Sequence, residues 1–145
     1  MGTSKTLDTD DTALATDVIT AALDAGTTLF DSSPQIPYNP VEREVEKRLL
    51  PLAADLGLGV LIMRPFDAAD LMRTPPTAAQ LAPLVPFGIH TWGQALLWWG
   101  LCHPATTVSI PATSKPTRAT ENATAGDSAA LDDEHRQLIS RLAGA

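Results

Sequence analysis

The stretch from Ile110 to Asn122 holds the densest chemistry in the chain. A β-branched run, Thr106 to Ile110, stops at Pro111. Hydroxyls of Thr113 and Ser114 and the amine of Lys115 then line a turn, and a helix is expected to start near Pro116. A strand, loop and helix in this order aim free backbone N–H groups and the positive end of the helix dipole at one spot, which suits an anion. Arg118, in the first helical turn, could fork onto a phosphate, while Glu121 and Asn122, one turn on, could meet a base or ribose. The residues alone leave a second reading open, a capped helix with solvated charges.

Composition narrows the ligand classes. The 145 residues carry a net charge of -7, and no cluster of lysine and arginine stands out. A basic face that tracks phosphates is therefore not expected, and nucleic acid is excluded as a partner. A single cysteine, Cys102, can build neither a disulfide framework nor a thiolate metal site, and no His/Cys/carboxylate group has metal spacing. Residues Met1 to Asp11 are polar and acidic, without the basic and apolar regions of a signal peptide, so no export and a cytoplasmic location are expected. The most apolar run, Ile89 to Leu101, is interrupted by His90, Thr91, Gly93 and Gln94 and is shorter than the ~20 residues a bilayer needs, so no membrane partner is expected.

The elements that must position these residues alternate. Asp10, Asp11 and Thr12 can cap a helix bearing Leu14, Val18, Ala22 and Leu23, closed at Gly26. Thr27 to Phe30 is β-prone and runs into the polar Asp31-Ser32-Ser33-Pro34. After the proline-flanked Tyr38, Asn39 can cap a second helix with Val45, Leu49, Leu52 and Leu56 on one side, which Pro51 should kink or restart and Gly57 should close. Val60 to Met63 has the continuous apolar character of a strand buried on both faces. Arg64 to Pro86 reads as a proline-rich loop with room for a short helix over Thr77 to Leu84. Thr91 to Cys102 is expected as an aromatic-rich helix, and a last amphipathic helix presents Leu138, Ile139 and Leu142 behind the cap Asp132. Trp92, Trp98 and Trp99 read as packing residues, His135 as solvated, and Cys102 as buried and inert.

This alternation argues for one α/β domain over residues 1–145, with βα units around a parallel sheet of three or four strands. A closed eight-unit barrel needs about 200 to 250 residues, so the chain alone cannot close one.

Four stretches, Ala21 to Pro34, Gln35 to Leu56, Gly59 to Pro65 and Trp92 to Asn122, make the chain resemble the aldo-keto reductases, NADPH-dependent (β/α)8 barrels that reduce carbonyls by hydride transfer. The resemblance implies NADP(H) as cofactor. Thr113 and Arg118 match the family's ligands for the 2′-phosphate, with Ser114 and Lys115 beside them, and Glu121 and Asn122 match its adenine contacts. Gln35 matches a glutamine toward the nicotinamide carboxamide, and Met63 falls where many members place an aromatic ring against the nicotinamide. Of the catalytic Asp, Tyr, Lys and His, only Asp31 has a counterpart. The chain reads as if the first strand and strands three to five of the barrel were missing, and Tyr38 falls in a segment whose tyrosine is not the family's proton donor.

The function implied is an NADPH-linked oxidoreductase acting on a carbonyl or its alcohol. The alternative is a non-catalytic NADP-binding or interaction protein derived from that family, and non-redox acid-base chemistry through Asp31 stays open as a third. A partial barrel leaves unpaired strand edges and uncovered apolar surface, so a homo-oligomer is expected.

Overall fold

A computed structural model describes residues 36–127 and 129–144. Three parallel strands, β1 (Ile36–Pro37), β2 (Val60–Met63) and β3 (Thr106–Ser109), form an open sheet in the order β1-β2-β3. Ile36 pairs with Ile62 and Pro37 with Met63, while Val60 pairs with Thr106 and Leu61 with Val108, across an irregularity that leaves Thr107 between them. The Thr107 hydroxyl fills that gap by accepting from the Val60 amide at 3.1 Å. Helices α1 (Leu49–Asp55), α2 (Ala78–Leu81), α3 (Trp92–Leu101), α4 (Pro116–Thr124) and α5 (Asp133–Ala143) follow or separate the strands.

The core lies between one sheet face and the helices. Val60 and Ile62 on β2 are buried, whereas Leu61 and Met63, on the opposite face, are only half-buried. The strand is thus covered on one side among the described residues, not on both as its apolar run implied. Helix α3 fills the centre: Trp92 to Leu97, Trp99 and Gly100 are all buried, as expected of a helix that is apolar on every side. Gly100 is required by proximity, because a Cβ there would stand 2.5 Å from Cδ1 of Ile62.

Local signals account for most helix ends. Thr91 caps α3, and Gln94 reciprocates by accepting from the Thr91 amide, a capping box that also satisfies the buried Gln94 oxygen. Asp132 caps α5 by accepting from the His135 amide at 2.9 Å.

The second helix departs from its expected form. Asn39 does not cap it; its Oδ1 accepts from the Val41 and Glu42 amides and its Nδ2 donates to Glu42 and to the Arg64 carbonyl, so it ties the ends of β1 and β2 together. A single 3₁₀ turn, Glu44–Glu46, precedes α1, which begins only at Leu49. Pro51 has no N–H to donate backward, so it fits only in the first turn of a helix restarted there. The restart also sets the phase. Leu50 and Ala53 reach the core, while Leu49, Leu52 and Leu56 form the expected stripe but face outward at 41%, 37% and 40% exposure.

Candidate functional site

The C-terminal ends of β1, β2 and β3 share one edge of the sheet, as parallel pairing requires. Met63 ends β2 there, half-buried, with its carbonyl accepting from the Tyr38 amide at 3.2 Å. Ile110 extends β3 by one hydrogen bond to the Ile62 carbonyl, and the chain then turns through Pro111 to Lys115 into α4. Asp31 and Gln35 lie outside the described residues.

Residues 112–120 are all exposed, so Thr113, Ser114, Lys115 and Arg118 present their polar atoms to solvent around the start of α4. The turn is shaped by the Thr113 hydroxyl, which accepts from the Lys115 amide at 3.2 Å. Fewer backbone donors are free than the motif implied. Pro116 has no N–H, and the Arg118 and Ala119 amides both donate to the Lys115 carbonyl at 3.1 Å. Anion capture there falls to the side chains, with the helix dipole in support. No ion pair engages Lys115 or Arg118 among the described residues.

Beside this helix start lies an open groove of about 310 Å³. Leu97 and Leu101 of α3, Pro111, and Ala119 of α4 supply apolar walls, and Ser109, Thr113 and Asn122 supply polar atoms. The Ser109 Oγ is buried without a hydrogen-bond partner. Asn122 thus borders the groove. Glu121 does not; its carboxylate accepts from the hydroxyl of Thr91 on the cap of α3.

A second polar cluster forms where Tyr38, which follows β1, packs its side chain against the helices. Tyr38 is fully buried; its hydroxyl donates to Glu46 at 2.6 Å and accepts from Arg136, which is itself 3.2 Å from Glu46. Arg136 and Arg43 approach the Trp99 ring at 4.2 and 5.4 Å from its centroid, and His103 meets the Tyr38 ring edge-on. Burial, reinforced by the bond to Glu46, pushes the Tyr38 phenol well above its usual range. Burial alone would raise the Glu46 carboxyl, but hydrogen bonds from Arg43, Tyr38 and Arg136 outweigh it and hold the group below its usual range. Burial, then the charge of Arg136, lowers His103. A phenol so placed is a structural hydrogen-bond donor.

The remaining expectations divide. Trp92 and Trp99 are buried, and their indole N–H groups donate to the Leu71 carbonyl and to Ser140; Trp98 is half-exposed and donates to the Ala129 carbonyl. His135 is not simply solvated: its ring packs 4.5 Å from Phe87 and bonds Asp132 at 2.6 Å. Cys102 is half-buried; the Leu131 amide donates to its sulfur and lowers the thiol, but burial outweighs that bond, raises the thiol and keeps it unreactive. Among the described residues no group of three or more histidine, cysteine or acidic residues could hold a metal, and no helix is long and apolar enough to cross a membrane.

No family model and no curated protein matches the sequence. Solved structures do match. Aldo-keto reductase AKR11C1 from Bacillus halodurans superposes with a TM-score of 0.61 in its holo form and 0.60 in its apo form, at 21% identity over 87% of this chain. A thermostable aldo-keto reductase, Tm1743, in complex with the inhibitor epalrestat superposes with a TM-score of 0.56 at 22% identity over 74% of this chain. This chain spans 46%, 47% and 38% of those three structures, less than half of each. At such identities the likeness is one of fold: the described strands and helices form part of a (β/α) barrel.

Proposed function

We propose that the chain binds NADP(H) at the start of α4 and serves an aldo-keto reductase type of carbonyl or alcohol oxidoreduction. The observation that carries the binding half is the pairing of an exposed cationic helix start with an adjoining apolar groove. Arg118 and Lys115 supply charge and Thr113 and Ser114 supply hydroxyls for a 2′-phosphate, while the groove bordered by Leu97, Ala119 and Asn122 has the size and character for an adenine. When bound, the reduced nicotinamide would supply a hydride to a carbonyl and the oxidised form would accept one from an alcohol.

A second reading, binding without turnover, draws on Tyr38. Carbonyl reduction needs a positioned acid. Tyr38 is the chain's one tyrosine, and its hydroxyl is committed to Glu46 and Arg136 inside the helix layer. This favours a binding protein unless another group supplies the proton.

Titration with NADPH and NADH, followed by a turnover assay over generic aldehydes and ketones, tests both. NADPH should bind more tightly, and Arg118→Ala should weaken NADPH by about 1.5–3 kcal/mol, the range for hydrogen bonds to charged groups, while leaving NADH nearly unchanged. Equal affinities would refute the 2′-phosphate assignment. Binding without turnover would select the second reading.

A further inference from the structure

Helix α4 carries Arg118, yet it buries none of its own residues. Core packing therefore does little to place it, and its polar tethers decide where its first turn lies. Two side-chain hydrogen bonds join it to another element among the described residues. The Thr91 hydroxyl donates to Glu121, and the Gln94 amide Nε2 donates to the Thr124 hydroxyl at 2.9 Å. Both donors stand three residues apart on the first turn of α3, and both acceptors stand three apart on α4, so the pairs lie along one face of each helix. Thr124 closes the set by donating to the Glu121 carbonyl at 2.8 Å.

The anchoring side is rigid, since α3 is buried along nearly its whole length. Gly93 makes the approach possible: a Cβ there would lie 3.2 Å from the Glu121 Oε1. The carboxylate thereby reaches the N-terminus of α3, where the helix dipole favours it. Arg118 stands one turn before Glu121 and moves with it.

We propose that Glu121 is a positioning residue: held by Thr91 at the cap of α3, it fixes the first turn of α4 and so sets affinity for the phosphate end of the dinucleotide, leaving the base to Asn122. The function of this clamp rests on the NADP(H) reading above. Its existence as a clamp does not.

The test uses the intact chain and four variants. Thr91→Val and Glu121→Ala each remove the bond, whereas Thr91→Ser and Glu121→Gln keep a donor and an acceptor. NADPH affinity should fall about fivefold or more in the first two, and the Thr91→Val/Glu121→Ala double variant should be no weaker than either, as coupled neighbours behave. The conservative pair should bind within about twofold of the parent. A loss in Glu121→Ala with none in Thr91→Val would mean that Glu121 touches the ligand directly, and would overturn the proposal. Hydrogen exchange at the Arg118 and Ala119 amides of the unliganded chain gives a readout independent of cofactor. Exchange should quicken severalfold in Thr91→Val and Glu121→Ala and stay at the parental rate in the conservative pair; unchanged exchange in all four would overturn it. A parent chain that binds no NADPH would refute the binding reading alone, and exchange would still decide the clamp.

Discussion

Helices α3 and α4 are neighbours of similar length built on opposite principles. In α3, eight of ten residues are buried, and its polar side chains are spent on capping and on holding adjacent elements. In α4 no residue is buried, and the residues around its start face solvent with their charges uncommitted among the described residues. The difference separates two tasks. A helix whose side chains are consumed by packing cannot also offer them to a ligand, and one that offers them must borrow its position from elsewhere. Here the loan runs through Thr91 and Gln94, which belong to the packed helix and reach across to the exposed one.

The contrast is broken most forcefully at Trp99, fully buried against Tyr38 with its indole N–H on Ser140. Trp99→Ala should cost about 3–5 kcal/mol, the usual price of deleting a large core aromatic, measured by denaturant unfolding. Arg136→Ala comes next. It removes the cation from Tyr38, leaves Glu46 to Arg43 alone and strips one face of Trp99, and since Arg136 and Glu46 retain 19% and 23% side-chain exposure, the loss should be about 2–3 kcal/mol, below that of a fully buried pair.

How much of this was legible in the sequence depended on how far apart the partners lie along the chain. The cap Asp132, the restart at Pro51, the strand at Val60 and the turn into α4 are written in neighbouring residues, and the structure has them. Direction was harder. Leu49, Leu52 and Leu56 form a stripe at helical spacing, but periodicity does not say which side the core is on, and the restarted helix turns that stripe outward. The Tyr38 cluster was illegible as a whole: the Arg43–Glu46 pair is local, but Arg136, which joins Glu46 to Tyr38, lies 90 and 98 residues further on. For Glu121 the motif names the residue but not its partner Thr91, which lies 30 residues earlier on another helix.

Acidity sharpens the comparison more gently than mutation. Glu46 is held below its ordinary value of 4.5, so its contribution is present above that pH and is lost as pH falls through the lower folded value. His103 is lowered from 6.5, so below that pH the unfolded chain takes up a proton that the folded one resists, and stability declines in the same direction. Tyr38 is raised from 10.0, so the advantage of its neutral phenol is lost as pH climbs past that point. Stability measured against pH should therefore fall on both sides of neutrality. In Glu46→Gln the acid limb below 4.5 should flatten; an unchanged limb would show that the cluster does not govern it.

The smallest expected effect falls on α4. Arg118 is exposed, forms no ion pair among the described residues and sits in the first turn of α4, where the helix dipole gives a cation no advantage over alanine. Arg118→Ala should therefore leave unfolding stability within about 0.5 kcal/mol of the parent, the ordinary range for a surface substitution. The same substitution is expected to cost NADPH affinity, so one variant reads both sides of the contrast at once. A stability loss above about 1 kcal/mol would place Arg118 in the packed structure and remove the distinction between the two helices. A neutral effect on unfolding joined to a selective loss of NADPH would instead locate the ligand on a helix that the core does not need, held in place by a neighbour that it does.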